Sequence, residues 1–307
     1  MSIGDLWDNA KLSSDKSSPI CVTTPMLDSA IRTRISDIKK GFHRGPTILV
    51  ATVILWLATI HVTALCQSTE ETFNVEGVDR RALVFSNSTP VSGAGAPVVF
   101  VFHGHGGNAQ SAARRFRIHE LWPEAVVVYM QGIPGVVGIT DSGGKLNGWQ
   151  KAPGEVGDRD LKFFDAALER MRTKYKVDLK RVYVLGHSNG GRFVNVLWNV
   201  RGDKLAALCS AAGPGGRLIV NSPPKPVFII AGEKDPLVPF QIQQNGIAFA
   251  RELLKTDALK TKVEGLLRTE PGINGTELVT YIHPNGHEFP LEALPSVIKF
   301  FQRHARK

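Results

Sequence analysis

The stretch Val182 to Phe193, VYVLGHSNGGRF, decides how this chain is read. Val182, Tyr183, Val184 and Leu185 form a short β-branched and aromatic run, the composition of a buried strand. Just beyond it, Phe193, Val196, Leu197 and Val200 recur at helical spacing. Ser188 therefore falls at a strand-to-helix junction. Gly186, His187, Ser188, Asn189 and Gly190 spell G-x-S-x-G, and the pattern occurs nowhere else in the chain. A sharp turn that lifts a serine above a sheet needs glycine where neighbouring backbone comes too close for a Cβ. An ordinary glycine-rich turn competes with a nucleophile here, and the flanking strand and helix favour the nucleophile.

The rest of the composition narrows the class. The chain has 307 residues, 43% of them hydrophobic, which suits a globular protein with a substantial core. Its formal net charge of +9 is spread out, with only short pairs such as Arg80-Arg81 and Arg114-Arg115. No aromatic platform is interleaved with the basic residues, so a solvated basic surface is expected and nucleic acid is not expected as a partner.

Residues 1–45 are polar, lack a sustained apolar period and read as a disordered tail. Residues 46–66, PTILVATVILWLATIHVTALC, hold no Lys, Arg, Asp or Glu, and Arg32, Arg34, Lys39, Lys40 and Arg44 precede them. Basic residues on the N-terminal side keep that end in the cytoplasm and direct the downstream chain outward. The segment reads as a signal-peptide core, with Ala64 and Cys66 placed for cleavage before Gln67, or as an uncleaved membrane anchor. Residues 67–307 are then a single domain, secreted or periplasmic, or held at the membrane through 46–66. Of the three cysteines only Cys209 lies inside that domain, so the core rather than a disulfide must stabilise it, and its apolar neighbours make it an inert buried thiol.

From Thr72 onward the elements alternate. Residues 72–86 read as an antiparallel hairpin turning at Gly77, followed by a Ser, Gly and Pro loop. Apolar runs of the parallel-sheet kind come next at Val98–Phe102, Ala125–Tyr129, Val182–Leu185, Val227–Ala231 and Leu278–Ile282. Helical stripes lie between and after them, at Leu161, Phe164, Leu168, Met171 and Tyr175, around Ile247 to Leu254, and at Leu294, Val297, Ile298 and Phe301. The fold expected is α/β, a mainly parallel sheet with helices on both faces.

Chemistry in such sheets collects at the carboxyl ends of the strands. There the sequence puts His103 to Asn108, then Ser188, then Asp235, then His287. A serine hydroxyl needs an imidazole to take its proton and a carboxylate to fix the imidazole's tautomer, and Ser188, His287 and Asp235 supply these in the chain order Ser, Asp, His. His283 is the rival base and Asp257 the rival acid; the loop setting of His287 and the strand-end setting of Asp235 favour them. The oxyanion needs two backbone donors, assigned to the N–H groups of Asn189 and His105, with Gly106 as rival to His105. His103 and His105 also compete as a metal pair, but no carboxylate or cysteine clusters with them, and no metal or other cofactor is expected. Trp149 lies in a Gly-rich loop as either a cap on the core or a wall of the substrate pocket, and is carried forward as a substrate-binding candidate.

The segments GVDRRALVF, VFHGHGG, GWQKAPGEVGDRDLKFFDAAL, RVYVLGHSNGGRF, AGEKDPLVPF and NGHEFP, spread from about Val75 to Phe301, carry a resemblance. The chain resembles the α/β-hydrolase family that groups polyhydroxybutyrate depolymerase-like (LpqC-type) proteins with feruloyl and acetyl xylan esterases. The resemblance implies a serine carboxylester hydrolase working through an acyl-enzyme, with no cofactor. It implies an oligomeric hydroxyalkanoate, a feruloyl ester or a short acyl ester as substrate. A peptidase on the same fold and an inactive hydrolase-fold binding protein at the cell surface are the alternatives.

Overall fold

A computed structural model describes residues 66–87, 95–138 and 141–306. The tail 1–45 and the apolar segment 46–66, save its last residue, lie outside the described residues. Among the described residues no helix is long and apolar enough to cross a membrane.

The expected hairpin forms from β1 (Cys66–Val75) and β2 (Val78–Asn87), turning at Glu76 and Gly77. Gly77 has φ +83, a conformation open to glycine at little cost. The predicted apolar runs become β3 (Ala96–Phe102), β4 (Val126–Met130), β7 (Val177–His187), β9 (Val227–Gly232) and β12 (Glu277–His283). Sequence reasoning did not single out β8 (Ala207–Ala211), the two-residue strands β5 (Ile133–Pro134) and β6 (Asn147–Gly148), or β10 (Lys262–Glu264) and β11 (Leu267–Pro271). Among the described residues β4, β3, β7, β8, β9 and β12 are parallel neighbours in that order. Antiparallel β2 and β1 extend the sheet beyond β4, and β11 and β10 extend it beyond β12.

Both faces are covered because every central strand is apolar at even and odd positions alike. Val98, Phe100 and Phe102 of β3 face one hydrophobic cluster, and Val99 and Val101 face the other. The first cluster is closed by α3 (Arg159–Lys174), α4 (Asn189–Arg201) and α5 (Phe240–Leu254). The second is closed by α1 (Ala109–Phe116), α2 (Ile118–Leu121) and α6 (Leu294–Gln302). The stripe expected on α3 is buried at Leu161, Phe164, Leu168 and Met171, with Phe163 and Ala167 added. Asn108 starts α1 with a reciprocal capping box to Ser111. Cys209 is buried in the middle of β8, and burial pushes its thiol well above the usual range.

Candidate active site

Three loops at the carboxyl ends of β7, β9 and β12 bring Ser188, Asp235 and His287 together. Ser188 joins β7 to α4 with φ 58 and ψ −121, a backbone state whose strain is on the order of 1–3 kcal/mol. The flanking glycines make that turn possible. A Cβ on Gly186 would stand 2.2 Å from the Gly190 carbonyl oxygen, and one on Gly190 would stand 2.3 Å from that of Phe102. The Ser188 N–H donates to Ala211 at the end of β8 (2.8 Å), and its carbonyl accepts from Arg192 N–H (2.9 Å), which pins the turn between sheet and helix.

The loops after β9 and β12 are tied to each other before their side chains meet. Glu233 N–H donates to the His283 carbonyl at 2.9 Å and Lys234 N–H to that of Asn285 at 3.0 Å. Asp235 then points a fully enclosed carboxylate at four donors. Its Oδ1 accepts from the N–H groups of Leu237 and Val238, both at 2.8 Å. Its Oδ2 accepts from His287 Nδ1 at 2.8 Å and from Gln243 Nε2 at 3.1 Å. With Nδ1 donating, His287 Nε2 is the acceptor that faces Ser188 Oγ at 2.7 Å.

The two rivals stand elsewhere. His283 is buried on the face of β12 that carries Val279, and neither of its ring nitrogens has a partner. Asp257 accepts from Leu259 N–H at 3.0 Å and pairs with Lys260, a local cap on a surface turn.

Opposite the His287 loop, residues 103–107 pass the serine, and a Cβ on Gly104 would touch that of Ser188 at 3.5 Å. The Gly106 N–H donates to the Asn147 carbonyl at 2.7 Å, so it is already taken. Of the two candidates weighed for the loop's oxyanion donor, this leaves His105. The Asn189 side chain clamps the neighbouring loop, accepting from Trp149 N–H at 2.7 Å and donating to the Trp149 carbonyl at 2.9 Å.

Trp149 is the candidate that the structure relocates. Its ring is fully buried between Phe102 and Phe193, and its Nε1–H donates to the His103 carbonyl at 2.9 Å. Every part of the indole is thus satisfied beneath the loop, and it is a core cap rather than a pocket wall. The cleft over Ser188 is lined instead by Val137, Gly138, Pro214, Leu237 and Val238, with His105, Lys151 and Arg192 at its polar margins, and has a cavity volume of about 90 Å³.

Two further histidines flank the site, His103 and His187. His103 donates from Nδ1 to the Gly104 carbonyl (2.7 Å) and accepts at Nε2 from Gly132 N–H (3.0 Å), so both nitrogens are used. Burial pushes His103 down to about 4, and burial together with neighbouring His287 pushes His187 down to about 3. Both fold neutral, whereas the unfolded chain titrates its histidines near ~6.5. Below that pH the unfolded state takes up protons that the folded state refuses, so stability falls as pH drops from about 6.5 toward 4 and 3. Each contribution is on the order of a few kcal/mol. Urea unfolding at pH 7 and pH 4.5 should show His187→Phe losing markedly less stability between the two than the parent; equal losses would refute the assignment.

Gln243 was not anticipated. It is buried, donates to Asp235 and to the Val238 carbonyl (2.7 Å), and accepts from Gly232 N–H (3.3 Å). The available signal was a polar residue in phase with Ile247, Ala250 and Leu254 on the buried stripe of α5.

No family profile matches the chain. Among curated proteins, "Putative esterase NocK" of Nocardia uniformis subsp. tsuyamanensis is 29% identical over 165 residues, 50% of this chain and 44% of that protein. A bifunctional acetylxylan esterase/xylanase of Neocallimastix patriciarum, XynS20E, is 30% identical over 87 residues, 28% of this chain and 13% of that protein. The matches therefore span less than half the length of either relative. Among solved structures, an acetyl xylan esterase from Aspergillus awamori superposes with a TM-score of 0.60, covering 78% of this chain and 99% of that one at 12% identity. A ferulic acid esterase superposes at 0.55, covering 78% and 100% at 15% identity. The fluorophosphonate-binding serine hydrolase FphF of Staphylococcus aureus also superposes at 0.55, covering 77% and 98% at 12% identity. At these identities the likeness is one of fold.

Proposed function

We propose that this chain, which shares the fold of known esterases, is an α/β-hydrolase: a serine carboxylester hydrolase acting through an acyl-enzyme on Ser188. The observation that carries the reading is the continuous relay from Ser188 Oγ through His287 to Asp235, at 2.7 and 2.8 Å, with the serine held in a strained turn. The esterases among its relatives support the same reading.

In the reaction proposed, Ser188 Oγ attacks the ester carbonyl carbon as its proton passes to His287 Nε2. Asp235 holds the Nδ1 proton in place and stabilises the imidazolium. The N–H groups of Asn189 and His105 receive the negative charge on the carbonyl oxygen. When the tetrahedral adduct collapses, the C–O bond to the leaving group breaks and His287 returns the proton to it, releasing an alcohol. Water, deprotonated by His287, then attacks the acyl-serine. The carboxylic acid leaves and Ser188 regains its proton. No step calls for a cofactor.

The cleft favours a short acyl or hydroxyacyl group. Its walls are largely apolar, and about 90 Å³ is less than the roughly 150 Å³ in which a buried cavity holds benzene, so a feruloyl ring would project from the mouth. Export, resting on residues 46–66 alone, would place catalysis outside the cytoplasm.

A fluorophosphonate probe tests the nucleophile directly. The full chain should be labelled and Ser188→Ala should not. Equal labelling of both proteins, or no labelling of folded parent protein, would overturn the reading.

A further inference from the structure

Two cations line the cleft over Ser188, and among the described residues no acid pairs with either. Arg192 on α4 and Lys151 in the loop before α3 are both half-buried and both line that cleft. Arg192 Nε donates to the Lys151 carbonyl at 3.0 Å, which fixes the guanidinium in the wall and, among the described residues, leaves its Nη1–Nη2 edge without a protein acceptor. Among the described residues neither side chain forms a salt bridge. The neighbouring carboxylates are engaged elsewhere. Glu155 accepts from Lys151 N–H at 2.7 Å, Asp141 accepts from Leu146 N–H at 2.7 Å beside His105, and Asp235 is enclosed by its four donors. Arg201 and Arg251, by contrast, are clamped on the carboxylates of Asp165 and Glu270.

Half-buried charge left without a counter-charge is unfavourable, and the remaining edge of Arg192 matches the two oxygens of a planar anion. Resting on the esterase reading, we propose that the substrate carries a carboxylate in addition to its scissile ester, and that Arg192 and Lys151 bind it. Arg192 supplies the two-pronged contact and Lys151 adds a mobile point charge. The small volume of the cleft suits a carboxylate better than bulkier anions. Because a neutral ester leaves both cations partly desolvated and unpaired, the pair selects by charge as well as by shape.

The test uses the full chain and two matched pairs of esters, followed by titration of the acid released. One pair is monomethyl glutarate and the methyl ketone that replaces its carboxylate; the other is acetylated γ-hydroxybutyrate and its corresponding methyl ketone. The anionic member of at least one pair should be preferred in kcat/KM by about tenfold or more. That preference should fall to near unity in the double variant Arg192→Gln, Lys151→Gln. Each ratio compares two substrates on one protein, so general damage to the cleft cancels. Equal rates within both pairs would overturn the charge selection and leave the esterase reading standing. A preference that survives in the double variant would overturn the assignment to these two residues. Protein labelled by fluorophosphonate that turns over neither pair would also overturn the substrate class, whereas absence of labelling as well would overturn the esterase reading itself.

Discussion

Ser188→Ala should lower kcat on any ester the full chain turns over by about a millionfold, the loss seen when a serine nucleophile is removed from a triad that acts as a unit. The structure makes this a clean experiment. Among the described residues the Ser188 side chain has one polar partner, His287 Nε2, while its backbone N–H and carbonyl are held by Ala211 and Arg192 whatever the side chain is. Alanine accepts the same bonds, so the elbow and the core beneath it should keep their thermal unfolding midpoint. What survives is the rate that the oxyanion donors and the cleft provide by binding alone. A folded Ser188→Ala protein that retains a tenth of the parental kcat would exclude a serine mechanism.

Asp235→Asn should lower kcat by about ten-thousandfold, and the reason lies in the count of donors around the carboxylate. Leu237 N–H, Val238 N–H, Gln243 Nε2 and His287 Nδ1 all donate to it. An amide in that place must turn its NH₂ toward two of the four. If it faces the backbone, the Leu237 and Val238 N–H groups lose their acceptor, and the buried one at Val238 costs about 1–3 kcal/mol. If it faces His287, Nδ1 must become the acceptor, Nε2 must carry the hydrogen, and the imidazole can no longer take a proton from Ser188. Gln243 cannot relieve the conflict by rotating its own amide, because its Oε1 is bound to Gly232 N–H and its Nε2 to the Val238 carbonyl. Steady-state kinetics beside chemical unfolding check both parts. A variant with more than a tenth of the parental kcat would show that the acid is not needed to set the tautomer.

The candidate site was legible to different depths. Ser188 could be read because a nucleophile elbow leaves a local trace: glycines two residues on either side, a strand before and a helix after, all within twelve residues. Asp235 and His287 lie 47 and 99 residues beyond Ser188 (235 − 188 and 287 − 188), and only the position of each after an apolar run marked it. Trp149 had no such trace. A tryptophan in a glycine-rich loop has the same neighbours in sequence whether its ring turns inward or out, and Phe102 and Phe193, which hold it, arrive from two other elements. Gln243, Lys151 and Arg192 went unmarked for the same reason, since a glutamine on a helix or a cation near a turn is ordinary until its surroundings are known.

The sequence by itself determined the alternation of strand and helix, the burial of both sheet faces and the placing of Ser188 at a strand end. These come from periodicity and from backbone sterics, which act over a few residues. Tertiary structure alone decided which loop N–H was already spent, which aromatic was core, which histidines fold neutral, and which two cations pair with no acid among the described residues. Those depend on contacts between segments far apart in the chain, where one hydrogen bond, such as that from Gly106 to Asn147, removes a candidate that spacing could not separate from its neighbour.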